Sequence, residues 1–424
     1  MPVALSFAEL SAWLRLSTEP ELGYSQACLL LREFGLPDAI YDASSTQLSK
    51  WLPMPLAARM SASPDTAHEA LLNTTRQWLE HPAHHLLTLA DPDYPKALLE
   101  LHDPPLVLYV NGALPVLHQP ALAIVGARTA TPGGCDNANA FAHYLAQRGW
   151  CIVSGLAEGI DTAAHEGALA SSHGNTIAVM ATGLDIVFPA RNRDLAHRIA
   201  ARGALVSEFP LGTRALPFHF PRRNRLVAAL GQGVLVVEAA MKSGSLITAR
   251  LGAELGREVF AIPGSIHSPV ARGCHQLIRQ GAKLVESGQD IHDELQQPHL
   301  IPHLKSEGSL SSKGKQRTAR SKRSTTHTLA NHPTLADPQQ PSTTTHTEAQ
   351  TTPHTQTNTP ADSVPNLSPP ASAVLNAMGF DPVDMDTLQA RTSLDWAQLS
   401  TLMVELELNE IIVRHNDGQF ARYR

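Results

Sequence analysis

Thiols are few and scattered in this sequence. Its four cysteines, Cys28, Cys135, Cys151 and Cys274, form no CxxC pair in 424 residues. That argues against a disulfide scaffold and leaves them as small buried hydrophobes of a reducing compartment. The 21 histidines include no HExxH and no Cys/His pairing, so no metal site is expected. Basic excess is missing as well. With 33 Lys and Arg against 39 Asp and Glu the formal charge is −6, and any polyanion site has to be a local patch. The glycine fingerprints of nucleotide folds are absent too. No strand runs into GxGxxG, which disfavours a dinucleotide site. No GxxxxGK[ST] occurs, which disfavours a Walker NTPase, and Gly133-Gly134 past Thr129 lacks the lysine. There is no charged-then-apolar leader and no apolar run long enough to span a bilayer, so a cytoplasmic protein without membrane contact is expected.

What is present divides the chain into four parts, in line with the two or three domains its length predicts. Residues 1–82 read as short helices separated by turns at Gly23 and Pro37, in the manner of a sterile-alpha-motif or helix-hairpin-helix domain. Glu19 and Glu21 in the hairpin region favour packing or protein contact over DNA there. Residues 83–297 form the main domain, entered through a Pro-rich, extended segment at 86–114. Residues 298–365 begin with a basic run (Lys305, Lys313, Lys315, Arg317, Arg320, Lys322, Arg323) and continue rich in Thr, Pro, His and Gln, the composition of a disordered linker. Residues 366–424 read as three helices and a hairpin about Asp417-Gly418, a winged-helix-like order whose third helix carries Asp395, Glu405 and Glu407 but no Lys or Arg. Such a surface repels a duplex.

Between residues 121 and 286 apolar strands alternate with helices, which predicts a doubly wound parallel sheet. Ligands of such sheets bind beyond the carboxyl ends of the strands. The loops placed there are unusually alike: GART (126–129), SGLAEGID (154–161), TGLD (182–185), SEFPLG (207–212) and EAAMKSGS (238–245). The last is the centre of the pattern. A buried strand leads into Lys242, Ser243, Gly244 and Ser245, and then into a helix. Free N–H groups, the helix dipole and a lysine together make a phosphate site in physical terms.

A second motif, LPFHFPRRNR (216–225), sets Phe218, His219 and Phe220 beside Arg222, Arg223 and Arg225. Rings that stack on bases and cations that hold phosphates suit a single strand. Three arginines at a helix start oppose its dipole, so an anion or an acidic partner is expected there.

The ordered motifs VGARTATPGG, SGLAEGIDTAAHEGAL, GLDIVFPARN, SEFPLG, FPRRNRLVAAL, VVEAAMKSGSLITA, FAIPG and GCHQLIRQGAKLV, from about Leu89 to Glu286, resemble the DNA-processing protein A (DprA, or Smf) family. The resemblance implies an extended Rossmann-like domain and a dimer through it. It also implies a protein that is not an enzyme, uses no cofactor and binds single-stranded DNA without ATP. Such a protein protects incoming DNA in natural transformation and helps load the RecA recombinase. It places the DNA site on Gly126, Arg128 and Thr129, on Ser154 and Gly155, on Arg222, Arg223, Asn224 and Arg225, and on Lys242, Ser243, Gly244, Ser245 and Thr248. Departures from the family pattern are Pro132 where an aromatic is common, Phe188 for a usual Tyr and His275 for a usual Asn. The competing reading is a Rossmann-like nucleotide-binding protein or nucleotide phosphoribohydrolase, with Glu238 beside Lys242 and with Glu158 and Asp161 nearby as acid and base. Its PGGxGTxxE signature is absent. The opposing expectation is that Glu238 fixes the N–H groups of its own loop.

Overall fold

The computed structural model describes residues 5–296, 367–380, 382–409, 411–415 and 418–422. The 298–365 linker with its basic run and Asp417 of the hairpin therefore lie outside the described residues.

Nine strands form one sheet: β1 His84–Thr88, β2 Val107–Gly112, β3 Ala121–Val125, β4 Cys151–Ser154, β5 Thr176–Val179, β6 Ala204–Ser207, β7 Gly233–Val236, β8 Glu258–Ala261 and β9 Lys283–Leu284. Their order is β1-β2-β6-β5-β4-β3-β7-β8-β9. The seven strands from β6 to β9 pair in parallel, whereas β1 and β2 add an antiparallel hairpin to the β6 edge. That hairpin lies in the segment read from sequence as an extended entry. Its prolines sit between the strands, and β1 opens with polar His84 and His85, so the apolar run of β2 has no obvious partner in the sequence.

Consecutive residues of the parallel strands point to opposite faces, and both faces are covered. Ala123, Val125, Val153, Val179, Val206 and Val236 pack against helix His219–Leu230 and the start of Gly244–Glu254 through Leu226, Val227 and Ala249. On the other face Leu122, Ile124, Ile152 and Leu235 pack against Pro132–Gln147 and Ile160–Ala170 through Phe141, Leu145 and Ala164. Further along that face Ala178 and Leu205 meet Leu195 and Ile199 of Arg193–Arg202, together with Leu10, Trp13, Leu14 and Leu72 from the N-terminal helices. Helices Phe7–Thr18 and Thr66–Trp78 thus belong to the sheet's own core, while a separate cluster of Leu16, Leu30, Ile40, Leu48 and Met60 closes the remaining N-terminal helices. Glu19 is committed to packing there, in an ion pair with Arg59 at 2.7 Å.

Helices Pro369–Met378, Met385–Thr392 and Trp396–Leu408 and the hairpin β10 Ile412–Arg414 with β11 Phe420–Arg422 close over their own core of Val374, Leu388, Leu399, Met403 and Phe420. Arg391 reaches Asp136 on the sheet domain at 2.6 Å. Among the described residues no helix is long and apolar enough to cross a membrane.

Candidate functional site

The chain leaves β3 in one direction to build β4, β5 and β6, then returns to the other side of β3 for β7, β8 and β9. Crevices open where strand order reverses in this way. The loops after β3, β4 and β7 and the start of helix His219–Leu230 surround a cleft of about 490 Å³ at that point. It is lined by Gly126, Arg128, Gly155, Arg223, Asn224, Ser243, Gly244, Ser245 and Thr248, nine of the fourteen residues named from the sequence.

The floor is rigid. The Ser154 hydroxyl is fully buried and donates to the Ile124 carbonyl at 2.6 Å, which ties β4 to β3. The next turn is held open in a strained shape, with Leu156 at φ 57, a conformation that costs a branched residue about 1–2 kcal/mol. The Asn192 side chain, which donates to the Leu156 carbonyl at 2.9 Å, holds that strain. Below it the Asp161 carboxylate accepts from the N–H of Gly155 at 3.2 Å and of Ala157 at 3.3 Å. Burial pushes the Asp161 carboxyl up, opposed by the adjacent Arg223 guanidinium and by those two N–H groups.

Arg223 is only 4 % exposed. It donates to the Val179 carbonyl at 3.1 Å and occupies the space that a side chain at Gly155 would need, with Nη1 1.3 Å from an ideal Cβ. Arg222 and Arg225 lie apart from the cleft. Both pair with buried Glu208, Arg222 at 3.2 Å, and Arg225 also donates to the Asp103 carbonyl at 2.7 Å. For Arg222 and Arg225 the acidic partner is Glu208, seventeen residues before Arg225, whereas Arg223 sits beside Asp161.

Arg128 and Lys242 are exposed cations near the cleft. Lys242 borders a second groove of about 710 Å³ on the far side of helix Gly244–Glu254, which shares Ser243, Gly244 and Ile247 with the cleft. That helix begins with no side-chain cap, because the Ser243 and Ser245 hydroxyls bond each other at 2.7 Å. Its first N–H groups are left to whatever approaches. Gly244 stands at this opening, with Asn224 donating to its carbonyl at 3.3 Å. Thr129 is exposed but does not line the cleft.

Against the cleft lies an aromatic slot of about 170 Å³. Phe188 and Phe220 meet edge to face at 5.8 Å, and the Arg128 guanidinium sits 5.0 Å from the Phe220 ring centre. Phe188 remains 47 % exposed. The basic motif drew attention to Phe220, but Phe188 lies in a different loop and only the fold brings the two together. Glu208 and Asn192, which position arginines and backbone, were also missed, because their partners are distant in sequence.

Glu238 turns away from all of this. Its carboxylate accepts from the Thr131 N–H at 2.9 Å and the Thr131 hydroxyl at 2.6 Å, so it anchors the start of helix Pro132–Gln147. It opens into a small cavity with Ser265 and Phe380, separate from the groove that holds Lys242. Glu158 pairs with Arg191 at 3.0 Å.

The model of the family DNA recombination-mediator protein A matches residues 85–296, and that of the DprA winged helix domain matches residues 358–418. The chain is 49% identical over 220 residues to Protein Smf of Escherichia coli, covering 52% of this chain and 59% of that protein. It is 46% identical over 209 residues to DNA processing protein DprA of Streptococcus pneumoniae, covering 49% of this chain and 73% of that protein. The X-ray structure of DNA processing protein A from Streptococcus pneumoniae superposes with a TM-score of 0.59 at 38% identity, over 69% of this chain and 99% of that one.

Proposed function

Because the chain belongs to the DNA recombination-mediator protein A family, we propose that it holds single-stranded DNA in the cleft at the switch point, without nucleotide hydrolysis, and passes the strand to the RecA recombinase during natural transformation. The observation that carries the DNA reading is the meeting of three features at one place: an uncapped helix start, exposed Arg128, and an aromatic slot large enough to take a ring, with Lys242 on the adjoining groove across that helix. Phosphates suit the first two. An aromatic slot serves only a base that is out of its pair, and this favours a single strand over a duplex.

The phosphoribohydrolase reading fares worse. Its acid, Glu238, is bonded to Thr131 and faces a different cavity from Lys242, and Glu158 is held by Arg191. A hydrolase would lose turnover in Glu238→Gln, whereas the binding reading expects no turnover of nucleoside phosphates even by the wild type.

For the homodimer we propose the β9 end of the sheet. Ile266 is 75 % and Leu284 50 % exposed there, beside a two-residue edge strand, and apolar side chains left open at a sheet edge favour pairing with another chain. Leu284→Glu should shift the protein towards monomer in sedimentation velocity.

The deciding experiment is a titration of labelled single-stranded and blunt duplex oligonucleotides against salt, without ATP or divalent metal. The single strand should bind more tightly, with a log–log salt slope of about −0.7 for each phosphate neutralised. Equal affinity for the duplex, or an absolute need for ATP, overturns the proposal.

A further inference from the structure

The aromatic slot contains a carboxylate that phosphate binding cannot use. Its 170 Å³ equal the liquid volume of about six waters, enough for one planar ring with its substituents. Phe188 and Phe220 supply the apolar walls, and Arg128, Arg223 and Glu158 supply the charge. Arg223 is engaged with Val179, and Arg128 lies over Phe220. Glu158 accepts from Arg191 through Oε1 and keeps its side chain 39% exposed. An ionised carboxylate has about four acceptor positions, so the pair leaves acceptor capacity at the slot. A carboxylate repels a phosphate chain, but it recognises an amino group on a base edge, and the acidic side chains are the natural acceptors for the cytosine N4 amine.

We propose that the slot takes one unpaired base of the bound strand and that Glu158 selects a base with an exocyclic amino group, cytosine over thymine, whose O4 faces the carboxylate as a second acceptor. Arg191 is a positioning residue that holds the carboxylate at the mouth. The inference rests on the single-strand reading above.

The test measures binding of the full-length protein to oligo-dC and oligo-dT of equal length, by fluorescence anisotropy at one salt concentration, for wild type, Glu158→Ala and Glu158→Gln. The wild type should prefer oligo-dC. In Glu158→Ala the dC-to-dT affinity ratio should fall about ten-fold, as for loss of one hydrogen bond to a charged group. Removing a negative charge raises affinity for both strands alike, so the ratio separates base selection from bulk electrostatics. Glu158→Gln should also lower the ratio, because its amide can donate to thymine O4. A wild type without preference, or a ratio unmoved in Glu158→Ala, overturns the inference and leaves the single-strand reading standing. A wild type that binds neither oligonucleotide overturns both.

Discussion

Gly155→Ala is the substitution whose cost the structure determines most directly. The added methyl would fall 1.3 Å from Arg223 Nη1, 2.2 Å from Cζ and 2.6 Å from Nη2, so the guanidinium has to leave. Leaving breaks its bond to the Val179 carbonyl and strands the buried Asp161 carboxylate without the charge beside it. Breaking a buried pair from one side costs about 3–5 kcal/mol. Replacing glycine where the backbone permits it returns about 0.4–1 kcal/mol through the unfolded chain, and φ is not in the left-handed region at this position. The net loss should be about 2–4 kcal/mol. In an Arg223→Ala background the space is already vacant, and the same Gly155→Ala change should then be neutral or slightly stabilising. Urea denaturation of the four proteins, followed by circular dichroism, gives the coupling directly. A coupling of about 2 kcal/mol or more supports the interlock, whereas additivity within roughly 0.5 kcal/mol refutes it.

Four further outcomes are expected. Arg128→Ala and Lys242→Ala should stay folded and each lose about 1.5–3 kcal/mol of single-strand affinity. Arg225→Ala should instead destabilise the fold by about 3–5 kcal/mol, because it leaves Glu208 buried and short of a partner; thermal melts beside binding curves separate the two classes. His165 is fully buried and donates through Nδ1 to the Thr176 hydroxyl, which itself donates to the Ile152 carbonyl. Burial, with a smaller effect of Arg223, lowers its pKa from 6.5 to about 3. The unfolded chain therefore takes up a proton that the native one refuses, and stability drains as pH falls from 6.5 towards 3 by up to about 1.4 kcal/mol per pH unit. His165→Gln should flatten that part of the stability-against-pH curve, and an unchanged slope would contradict the assignment. Finally, a chain ending near Pro298 should bind single strands with modest loss. Residues 371–424 carry eight acids against four bases, a net −4, which is a poor surface for phosphates. Strong DNA binding by residues 366–424 alone would refute this.

The parallel sheet was legible because its strands are short apolar runs buried on both faces, and such runs carry their own signal. The β1–β2 hairpin was not, since His84 and His85 begin it and the prolines between the strands masked the pairing. Helix Pro132–Gln147 begins on residues that favour a turn. Gly133-Gly134 looked like loop, yet Thr131 caps the helix by accepting from the Gly134 N–H at 3.0 Å. At the site, the small-residue loops were placed well, because strand ends must converge in a doubly wound sheet. The arginines were harder. RRNR reads as a uniform cationic patch, but a helix turns each residue by about 100°, and three consecutive directions send Arg222 to Glu208, Arg223 into the floor and Asn224 to Gly244. No local pattern reveals which charge is already neutralised inside the protein.

The glycines of the strand-end loops and of the first turn of helix Pro132–Gln147 bear on how a saturation mutagenesis experiment would read out. A side chain at Gly126 would strike Ile160, one at Gly134 would strike Glu238 and one at Gly155 would strike Arg223, each within about 2.5 Å. Scored only by loss of function, these positions would look like the heart of a ligand site, although their intolerance would come from folding and from the protein's own atoms. Gly244 is different, since an added Cβ meets nothing closer than Asn224 at 3.9 Å and alanine is the better helix former. A scan that scores cellular abundance and DNA binding separately should find the first three depleted in both. Gly244 should keep its abundance, so a binding loss there measures the space the ligand itself takes up.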